Sequence, residues 1–314
     1  MQVHQQTDHL PAFRNAVVTI GTFDGVHIGH QLIIDQMKRE ALAINGETVI
    51  ITFHPHPRKI IGSRSGKLFL LTTMAERTTL LDAAGIDHLV VIPFTEAFAE
   101  QDAAVYIKDF LVKNFRPHTI IIGYDHRFGK NRQGDYHLMD AMAPIYHYTV
   151  KEIDEKVLNE VTISSTRIRE ALIRGDIKTA NHFLGYPYFF EGEVIHGDKR
   201  GRTIGFPTAN LRVADIDKLI PANGVYAVRV SFPNSNEPSH VKKGMMNIGL
   251  RPTVDGLNQT IEVNLFDFSE DIYGKMIQVS VIQKIRDEQK FPGIDALKAQ
   301  LEKDRIESLE ILIQ

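Results

Sequence analysis

The feature that most constrains the fold is an alternation of short apolar runs with helix-like segments over the first half of the chain. Apolar runs of strand length occupy 16–23, 47–53, 88–94 and 118–124, with segments of helical spacing between them at 29–44, 72–84 and 99–115. This alternation predicts an α/β domain, in which helices cover both faces of a parallel sheet. We expect a ligand site beyond the carboxyl ends of the strands, where such sheets bind their ligands.

The pattern changes after Leu184. Short alternating runs broken by Gly, Pro and Asn fill 188–285, and they predict antiparallel strands that form a small barrel. Two short helices, split by Gly175 and Asp176, precede these strands, and a helix over about 293–312 follows them. A chain of 314 residues has room for two domains. We place the boundary near Gly185, which predicts domains over 1–185 and 186–314.

Composition excludes several classes of site and partner. The sequence contains no cysteine, which removes disulfides, thiolate nucleophiles and cysteine-bound metals. Its net charge of −3 gives no indication of a nucleic-acid partner. The N-terminal segment lacks the apolar core of a signal peptide, and no apolar run is long enough to span a membrane. We therefore expect a cytoplasmic protein, a monomer or weak homo-oligomer, that acts on small molecules.

The first strand leads into the sequence GTFDGVHIGH at 21–30, where a helix begins. Free backbone N–H groups at a helix start attract anions, and Gly29 lets a phosphate approach the backbone closely. His27 and His30 are three residues apart, so they project to one side and can donate hydrogen bonds to phosphate oxygens. A bare pair of histidines is more often an ordinary surface feature, so only its context gives this pair a function.

The second half contains another glycine-rich segment, GDKRGRTIGFPTANL at 197–211. It does not match the P-loop pattern, but glycine-rich backbone can wrap phosphates. Thr208 and Asn210 lie on one strand face, where their oxygens can bind Mg²⁺. A hairpin loop followed by a polar strand face is the alternative interpretation. The residues predicted to bind ATP here are Gly201, Thr203, Gly205, Pro207 and Asn210.

Longer stretches carry a family resemblance. GTFDGVHIGH, with ISSTRIREAL at 163–172, resembles the FMN adenylyltransferase module of bacterial bifunctional riboflavin kinase/FAD synthetases. In the second half, 192–211 and the segments PANGVYAV, NIGLRPT, IEVNLFDF, DIYG and IRDEQKF follow the order of that family's riboflavin kinase module. The resemblance covers about 15–305. It implies a Rossmann-like nucleotidyltransferase domain followed by a riboflavin-kinase-like six-stranded barrel with a terminal helix.

The resemblance implies two ATP-dependent reactions with Mg²⁺ on the phosphates. Riboflavin would be phosphorylated to FMN, and FMN would then attack the α-phosphorus of ATP to give FAD and pyrophosphate. His27, His30 and Arg167 would stabilise the second reaction, which needs no protein nucleophile because FMN is already an anion. Nucleotide binding is implied for Gly21, Thr22, Phe23, Asp24, Gly29, Ser164, Ser165 and Thr166. For Asp24, positioning of the loop is the alternative role.

In the kinase module, Glu262 occupies the position of the family's catalytic base, which would take the proton from the riboflavin 5′-hydroxyl. Many relatives have histidine where this chain has Asn264, on the same strand face as Glu262. Asn264 could orient the base by hydrogen bonding but could not titrate. Taken alone, Glu262 would be an ordinary solvent-facing strand residue.

The resemblance also implies a set of flavin-binding residues. In FHPHP at 53–57 these are Phe53, His54 and His56, and a proline-shaped turn is the alternative interpretation of that segment. Asp125 belongs to the loop after the fourth strand. For Arg286 in IRDE, a salt bridge is at least as good an interpretation as a flavin contact.

Three alternatives remain open at the level of sequence. The chain could be a related nucleotidyltransferase with another phosphate substrate, although the kinase-like half argues against that. It could retain only one of the two activities, with Asn264 or Asp125 as the lesion. It could also be a flavin-binding regulator without catalysis, which would be expected to have lost Glu262 or the histidine pair.

Overall fold

The computed structural model describes residues 1–5, 7–61, 68–123, 126–153, 163–197, 200–233, 241–253 and 256–313. Packing divides the chain into two compact units, Met1–Ser164 and Ser165–Gln314. No helix in the described part of the chain is long and apolar enough to cross a membrane.

The first unit is built on a six-stranded parallel sheet. Its strands are β1 (Gln2–His4), β2 (Val17–Ile20), β3 (Thr48–His54), β4 (His88–Pro93), β5 (Thr119–Gly123) and β6 (Thr149–Ile153). The spatial order is β1-β4-β3-β2-β5-β6, which puts β2 between β3 and β5. The predicted parallel α/β sheet is therefore confirmed, with the short β1 as an edge strand and β6 as the opposite edge, neither of which the sequence pattern predicted.

Helices and short helical turns connect these strands. They are α1 (Ile28–Ala43), α2 (Pro57–Ile61), α3 (Met74–Ala83), α4 (Glu96–Ala99), α5 (Ala103–Val105), α6 (Lys113–Phe115) and α7 (Tyr136–Tyr146). A π-helical segment, Tyr106–Val112, joins α5 to α6, and a 3₁₀ turn covers Lys130–Arg132. The helix predicted over 99–115 thus changes its hydrogen-bond pattern along its length.

Side-chain alternation on the strands gives the sheet two buried faces, as expected for strands covered by helices on both sides. Val18 and Ile20 of β2 belong to one hydrophobic cluster, with Ile51 and the aromatic residues of the α4–α5 region. Val17 belongs to the other cluster, with Ile34 and Met37 of α1. α1 therefore lies on the face of the sheet opposite the aromatic cluster.

The second unit begins with two helices, α8 (Ser165–Arg174) and α9 (Ile177–Leu184). Asp176 caps α9 by accepting a hydrogen bond from the Thr179 backbone N–H at 3.1 Å, which accounts for the predicted break at Gly175–Asp176. Asn181 of α9 then donates to the Val281 carbonyl at 2.9 Å and accepts from the Tyr188 N–H at 2.7 Å. Helix α9 is therefore tied to the barrel region.

Those strands form a closed antiparallel barrel in the order β10-β11-β8-β7-β12-β9. Their bounds are β7 (Phe189–Ile195), β8 (Ala209–Arg212), β9 (Gly224–Ser231), β10 (Lys242–Thr253), β11 (Gly256–Leu265) and β12 (Met276–Arg286). A short helix, α10 (Arg200–Thr203), lies in the glycine-rich loop, and α11 (Ile294–Ile313) ends the chain. Leu312 of α11 packs with Phe206, Ala227 and Met245 of the barrel. The predicted barrel with a terminal helix is confirmed.

The division by packing differs from the predicted boundary near Gly185. Helices α8 and α9 lie in the second unit, because the Asn181 hydrogen bonds and a bond from the Ala222 N–H to the Leu172 carbonyl, at 3.0 Å, join them to the barrel region. The local sequence pattern changes from helical to strand-like near residue 185. The boundary between the packed units lies elsewhere, because it depends on hydrogen bonds between residues far apart in the chain. The assignment of one function to 1–185 and another to 186–314 stays a prediction.

Candidate functional site

In the first unit, the predicted phosphate loop joins the end of β2 to the start of α1. The Gly21 N–H donates to the Ile51 carbonyl at 3.0 Å, which continues the β2–β3 pairing into the loop. Three loop residues then have positive φ angles, Phe23 at 47°, Gly25 at 85° and Val26 at 36°. Phe23 and Val26 are not glycine, so their backbone strain must be held by neighbouring contacts.

Those contacts centre on Asp24, whose side chain is fully buried. Its carboxylate accepts hydrogen bonds from the backbone N–H groups of Leu71 and Thr72, at 3.1 and 3.0 Å, and from the Thr72 hydroxyl at 3.2 Å. The buried guanidinium of Arg77 lies 3.5 Å away and also bonds to Thr72. Asp24 therefore joins the phosphate loop to the segment before α3. Its predicted nucleotide contact is not among these bonds and stays a prediction.

Arg77 was not predicted as a site residue, although the start of the helix that carries it can be predicted from the sequence. Thr73 is the N-cap of α3, and Thr73 and Glu76 form a capping box, the T-x-x-E pattern at 73–76. The Thr72 hydroxyl also accepts a hydrogen bond from the Gly25 N–H at 3.1 Å. The pattern predicts the helix start, but it gives no indication that the helix would hold a loop some fifty residues earlier.

The structure brings the two predicted histidines together. The rings of His27 and His30 stack with centroids 3.7 Å apart and an angle of 18° between their planes. Phe23 packs against His30 at 4.7 Å. His27 is the N-cap residue of α1, and its side chain makes no capping hydrogen bond. Both imidazoles thus lie at the helix start that was predicted to attract a phosphate.

Burial is the main cause that holds the pKa of His30 well below its usual value, and the neighbouring His27 and Arg77 lower it further. The Nδ1 atom of His30 is buried and has no hydrogen-bond partner among the described residues. His30 is consequently neutral at neutral pH. In that form one ring nitrogen still carries a hydrogen that can be donated to a phosphate oxygen.

The segment predicted to contact the flavin lies at the end of β3, beside the phosphate loop. Phe53 is buried among aromatic rings and packs edge-to-face against Phe94 at 5.3 Å. His54 is exposed. His56 is buried, and its Nδ1 accepts a hydrogen bond from the Arg58 N–H at 3.1 Å at the start of α2. The structure thus shows a turn that orders these residues, and a flavin contact stays a prediction.

The remaining predicted residues of this reaction lie elsewhere. Asp125 is outside the described residues. Ser164 closes the first unit, and Ser165, Thr166 and Arg167 form the first turn of α8 in the second unit. Thr166 and Arg167 are exposed. Their predicted roles in nucleotide binding and catalysis therefore rest on the sequence motif.

The second unit contains a cavity of about 320 Å³ inside the barrel region. Polar residues at the cavity include Thr208, Asn247, Glu262, Asn264, Arg286 and Glu288, and apolar ones include Phe206, Met245, Phe291, Leu297 and Leu301. The cavity thus offers apolar side chains that suit a flat ring system together with side-chain oxygen and nitrogen atoms. The predicted residues Gly201, Thr208, Glu262 and Arg286 all line it.

Glu262 lies on β11 with Asn210 of β8 and Asn247 of β10 as its register partners on either side. The Thr208 hydroxyl donates a hydrogen bond to the Glu262 carboxylate at 3.2 Å. The candidate base and the candidate metal ligands, Thr208 and Asn210, are therefore neighbours across two strands. Sequence spacing alone could not show this, because these positions are more than fifty residues apart.

Asn264 is buried. Its side-chain amide donates to the Pro207 carbonyl at 2.6 Å. That bond holds the backbone immediately before Thr208. Asn264 therefore acts on the segment that carries Thr208 and bonds to a carbonyl rather than to a titrating partner.

The glycine-rich loop folds back on itself before β8. The Phe206 N–H donates to the Gly201 carbonyl at 2.9 Å, and a side chain at Gly201 would place its Cβ 2.1 Å from the Phe206 carbonyl oxygen. Gly205 has a φ of 86°. Gly201 must be glycine because the backbone at Phe206 approaches it closely, and Gly205 favours glycine because its backbone is left-handed. Thr203, Gly205 and Pro207 are exposed, so their predicted contact with ATP stays a prediction.

Arg286 makes a salt bridge, one of the two interpretations the sequence allowed. Its guanidinium bonds to both carboxylate oxygens of Asp304 on α11, with the shortest distance at 2.7 Å from Nη2. Asp304 is 1% exposed, and it was not predicted as a site residue. The sequence signal was weak, because an acidic residue in a charged helix is ordinarily solvated.

Comparison with known proteins matches the two halves of the chain to two different family models. Residues 10–167 match the family model for FAD synthetase, and residues 184–312 match that for riboflavin kinase. Among curated relatives, the bifunctional riboflavin kinase/FMN adenylyltransferase of Haemophilus influenzae is 40% identical over 93% of this chain and 92% of its own length. The chain belongs to the bifunctional riboflavin kinase/FMN adenylyltransferase family.

Other members of the family are similarly related along nearly their whole length. The proteins of that name from Escherichia coli K12 and Bacillus subtilis are each 37% identical, over 94% of this chain and 92% of theirs. A solved structure described as a macrolide-efflux protein from Streptococcus pneumoniae is 32% identical, covers 97% of each chain and has a TM-score of 0.84. The predicted two-module enzyme with ATP and flavins as small-molecule substrates is thus confirmed at the level of the family.

Proposed function

We propose that the barrel of this chain phosphorylates riboflavin with ATP, and that Glu262 is the general base. A primary hydroxyl is a poor nucleophile, so a nearby carboxylate that accepts its proton speeds attack on the γ-phosphorus of ATP. The observation that supports this most directly is the position of Glu262 on the cavity wall, hydrogen-bonded to Thr208. The apolar side of the same cavity suits the flat ring system of a flavin.

Mg²⁺ fits the atoms beside Glu262. Thr208 and Asn210 offer neutral oxygen donors, and the described residues contain no cluster of three or more His, Asp or Glu that could hold a metal on its own. Mg²⁺ is commonly held by few protein oxygens together with substrate phosphates. When bound there, the ion would neutralise charge on the phosphates of ATP, while Thr208 and Asn210 hold it next to the base.

We propose further that residues 1–185, the predicted adenylyltransferase domain, adenylylate FMN. The phosphate of FMN attacks the α-phosphorus of ATP, a new P–O bond forms, and the bond to pyrophosphate breaks. His27 and His30 would donate hydrogen bonds to the developing negative charge at the start of α1. Gly21, Thr22, Phe23, Gly29, Ser164, Ser165, Thr166 and Arg167 keep their predicted nucleotide roles, and Phe53, His54, His56 and Asp125 their flavin roles.

Incubation of the purified protein with riboflavin, ATP and Mg²⁺, followed by separation of the flavins, tests both proposals. FMN and FAD should both form, with ADP and pyrophosphate as the other products. FMN without FAD would contradict the proposed adenylylation, and unchanged riboflavin would contradict the proposed kinase. Omission of Mg²⁺ in a parallel reaction should stop both products.

The predictions about the protein's compartment, its partners and its oligomeric state rest on its sequence. A cysteine-free chain with a net charge of −3 fits a reducing cytoplasm and gives no basis for binding nucleic acid. A monomer or weak homo-oligomer stays the expected state, and sedimentation of the purified protein measures it.

A further inference from the structure

The terminal helix lines the kinase cavity with Leu297 and Leu301, and it also forms an ion pair with a further residue of the cavity wall. Arg286 ends β12 and lines the cavity. Its Nε bonds to Asp304 at 2.9 and 3.1 Å and its Nη2 at 2.7 Å, while its Nη1 donates to the Asp287 carbonyl at 3.0 Å. Gln300, one turn earlier on α11, donates to the same carboxylate at 2.9 Å. The guanidinium is therefore held in one orientation.

The two partners differ in how far they are buried. The side chain of Asp304 is 1% exposed and that of Arg286 is 19% exposed. A carboxylate buried this deeply is costly unless it is paired, and Arg286 is a cation that pairs with Asp304. Arg286 also lies 5.7 Å over the ring of Phe291, another residue of the cavity wall. The pair thus fixes the position of the Arg286 side chain at the cavity.

The pairing also changes what Arg286 can offer a ligand. A guanidinium has five N–H groups, one on Nε and two on each Nη atom. Asp304 accepts from Nε and Nη2, and the Asp287 carbonyl accepts from Nη1. One N–H group on Nη1 and one on Nη2 are left as further donors. The positive charge of Arg286, however, is compensated by Asp304. A ligand in the cavity therefore meets hydrogen-bond donors without the full attraction of an uncompensated cation.

We propose that Asp304 is a positioning and specificity-determining residue for riboflavin phosphorylation. It orients Arg286 toward the neutral substrate and cancels the charge that would otherwise retain the anionic product, FMN. This proposal rests on the proposed kinase function of the barrel, and it assigns the terminal helix a part in substrate selection.

The test uses the full-length protein and measures ADP release with riboflavin, since only the kinase reaction forms ADP. In Asp304→Asn, the KM for riboflavin should rise about tenfold with little change in kcat, because Arg286 loses an ionic hydrogen-bond partner. Product inhibition by added FMN should become about fivefold stronger, because the Arg286 charge is no longer compensated. A purely structural role would not strengthen inhibition by FMN.

Glu302→Gln is the matched control. Glu302 is an exposed acid on the same helix, and its replacement removes the same charge. Its KM and its inhibition by FMN should equal those of the wild type. Asp304→Glu restores the carboxylate on a longer side chain, so it should keep wild-type inhibition by FMN while the KM stays a few-fold raised.

Two further results decide the proposal if Asp304→Asn unfolds. The paired variant Arg286→Met/Asp304→Asn leaves no unpaired charge, and it should fold, show a raised KM and show no increase in FMN inhibition. Stronger FMN inhibition in that variant or in Asp304→Glu would overturn the proposal. So would an Asp304→Asn enzyme that matches Glu302→Gln. A wild-type protein that forms no ADP would instead contradict the kinase function itself.

Discussion

His27 and His30 occupy the start of α1 as a stacked pair, with ring centroids 3.7 Å apart. Two imidazolium groups at that distance would repel each other strongly. The lowered pKa of His30 indicates that the neutral form is the resting one. At residue scale, the proposed adenylylation therefore begins with a neutral His30, and a bound triphosphate would favour its protonation.

The lowered pKa of His30 predicts an acid-sensitive first unit. Folding lowers this pKa, so the unfolded chain binds the proton more readily, and stability from neutral His30 is present above the ordinary value of 6.5 and is lost as the pH falls below it. Urea unfolding of the wild type and of His30→Asn, followed by circular dichroism from about pH 7 to about pH 5, measures this. The variant should lose less stability on acidification. Parallel pH profiles would contradict the assignment.

Glu262 carries the proton chemistry of the other reaction. Glu262→Gln keeps the shape of the side chain but cannot accept the proton, so FMN formation should fall by about 10²–10⁴-fold. FAD formation from supplied FMN should be unchanged, because the proposed adenylylation uses none of the barrel residues. The flavin products are separated chromatographically after each incubation.

The double variant His27→Ala/His30→Ala is the reciprocal test of the Glu262 prediction. It should lose FAD formation and keep FMN formation. Equal loss of both products in either variant would show that the two reactions do not use separate sites.

At the scale of elements, the N-terminus of α3 stabilises the loop that leads into α1. Asp24, Thr72 and Arg77 connect the loop before α1 to the N-terminus of α3 through buried hydrogen bonds. The positive φ angles of Phe23 and Val26 persist because this network over-determines the loop. The position of the histidine pair consequently depends on α3, although no residue of α3 was predicted to act in catalysis.

Arg77→Met should disturb that loop without touching the barrel. It leaves the fully buried Asp24 carboxylate without its cation, which costs about 3–5 kcal/mol in comparable buried pairs. FAD formation should fall sharply while FMN formation persists, and the thermal transition of the first unit should move to lower temperature. Arg77→Lys keeps the charge and should recover part of both properties. Wild-type FAD formation in Arg77→Met would show that the network is dispensable.

At the scale of the whole molecule, the chain consists of two compact units whose division at 164/165 precedes the change in sequence pattern near 185. Helices α8 and α9 bond to the barrel region through Asn181 and Leu172. The second unit therefore includes two helices that local patterning assigns to the preceding domain.

Two fragments distinguish these boundaries. Residues 165–314 should fold and phosphorylate riboflavin, because they keep the bonds from Asn181 to Val281 and Tyr188. Residues 186–314 lose those bonds and the apolar contacts of both helices, so their melting temperature should be lower by about 10 °C or more. Circular dichroism and ADP release measure both properties. Equal melting temperatures would favour the boundary near 185.

Much of the fold was determined by the sequence itself. Apolar runs of strand length alternating with helical spacing fixed the parallel sheet, and period-two runs with turn residues predicted the barrel, because both patterns are local. Edge strands β1 and β6 escaped prediction, since three to five residues of mixed polarity carry little periodic signal. The same locality explains why helices α8 and α9 were predicted while their membership in the second unit was not.

For the site, the sequence determined which residues carry the chemistry, and the tertiary structure decided how they are held. His27, His30, Thr208 and Glu262 stand in long motifs that can be read along the chain. Their supports, Arg77 and Asp304, look like ordinary charges of surface helices, and only long-range packing buries them beside Asp24 and Arg286. Burial turns such charges into positioning groups, because a charge removed from water must find a partner, and that partner can lie anywhere in the chain.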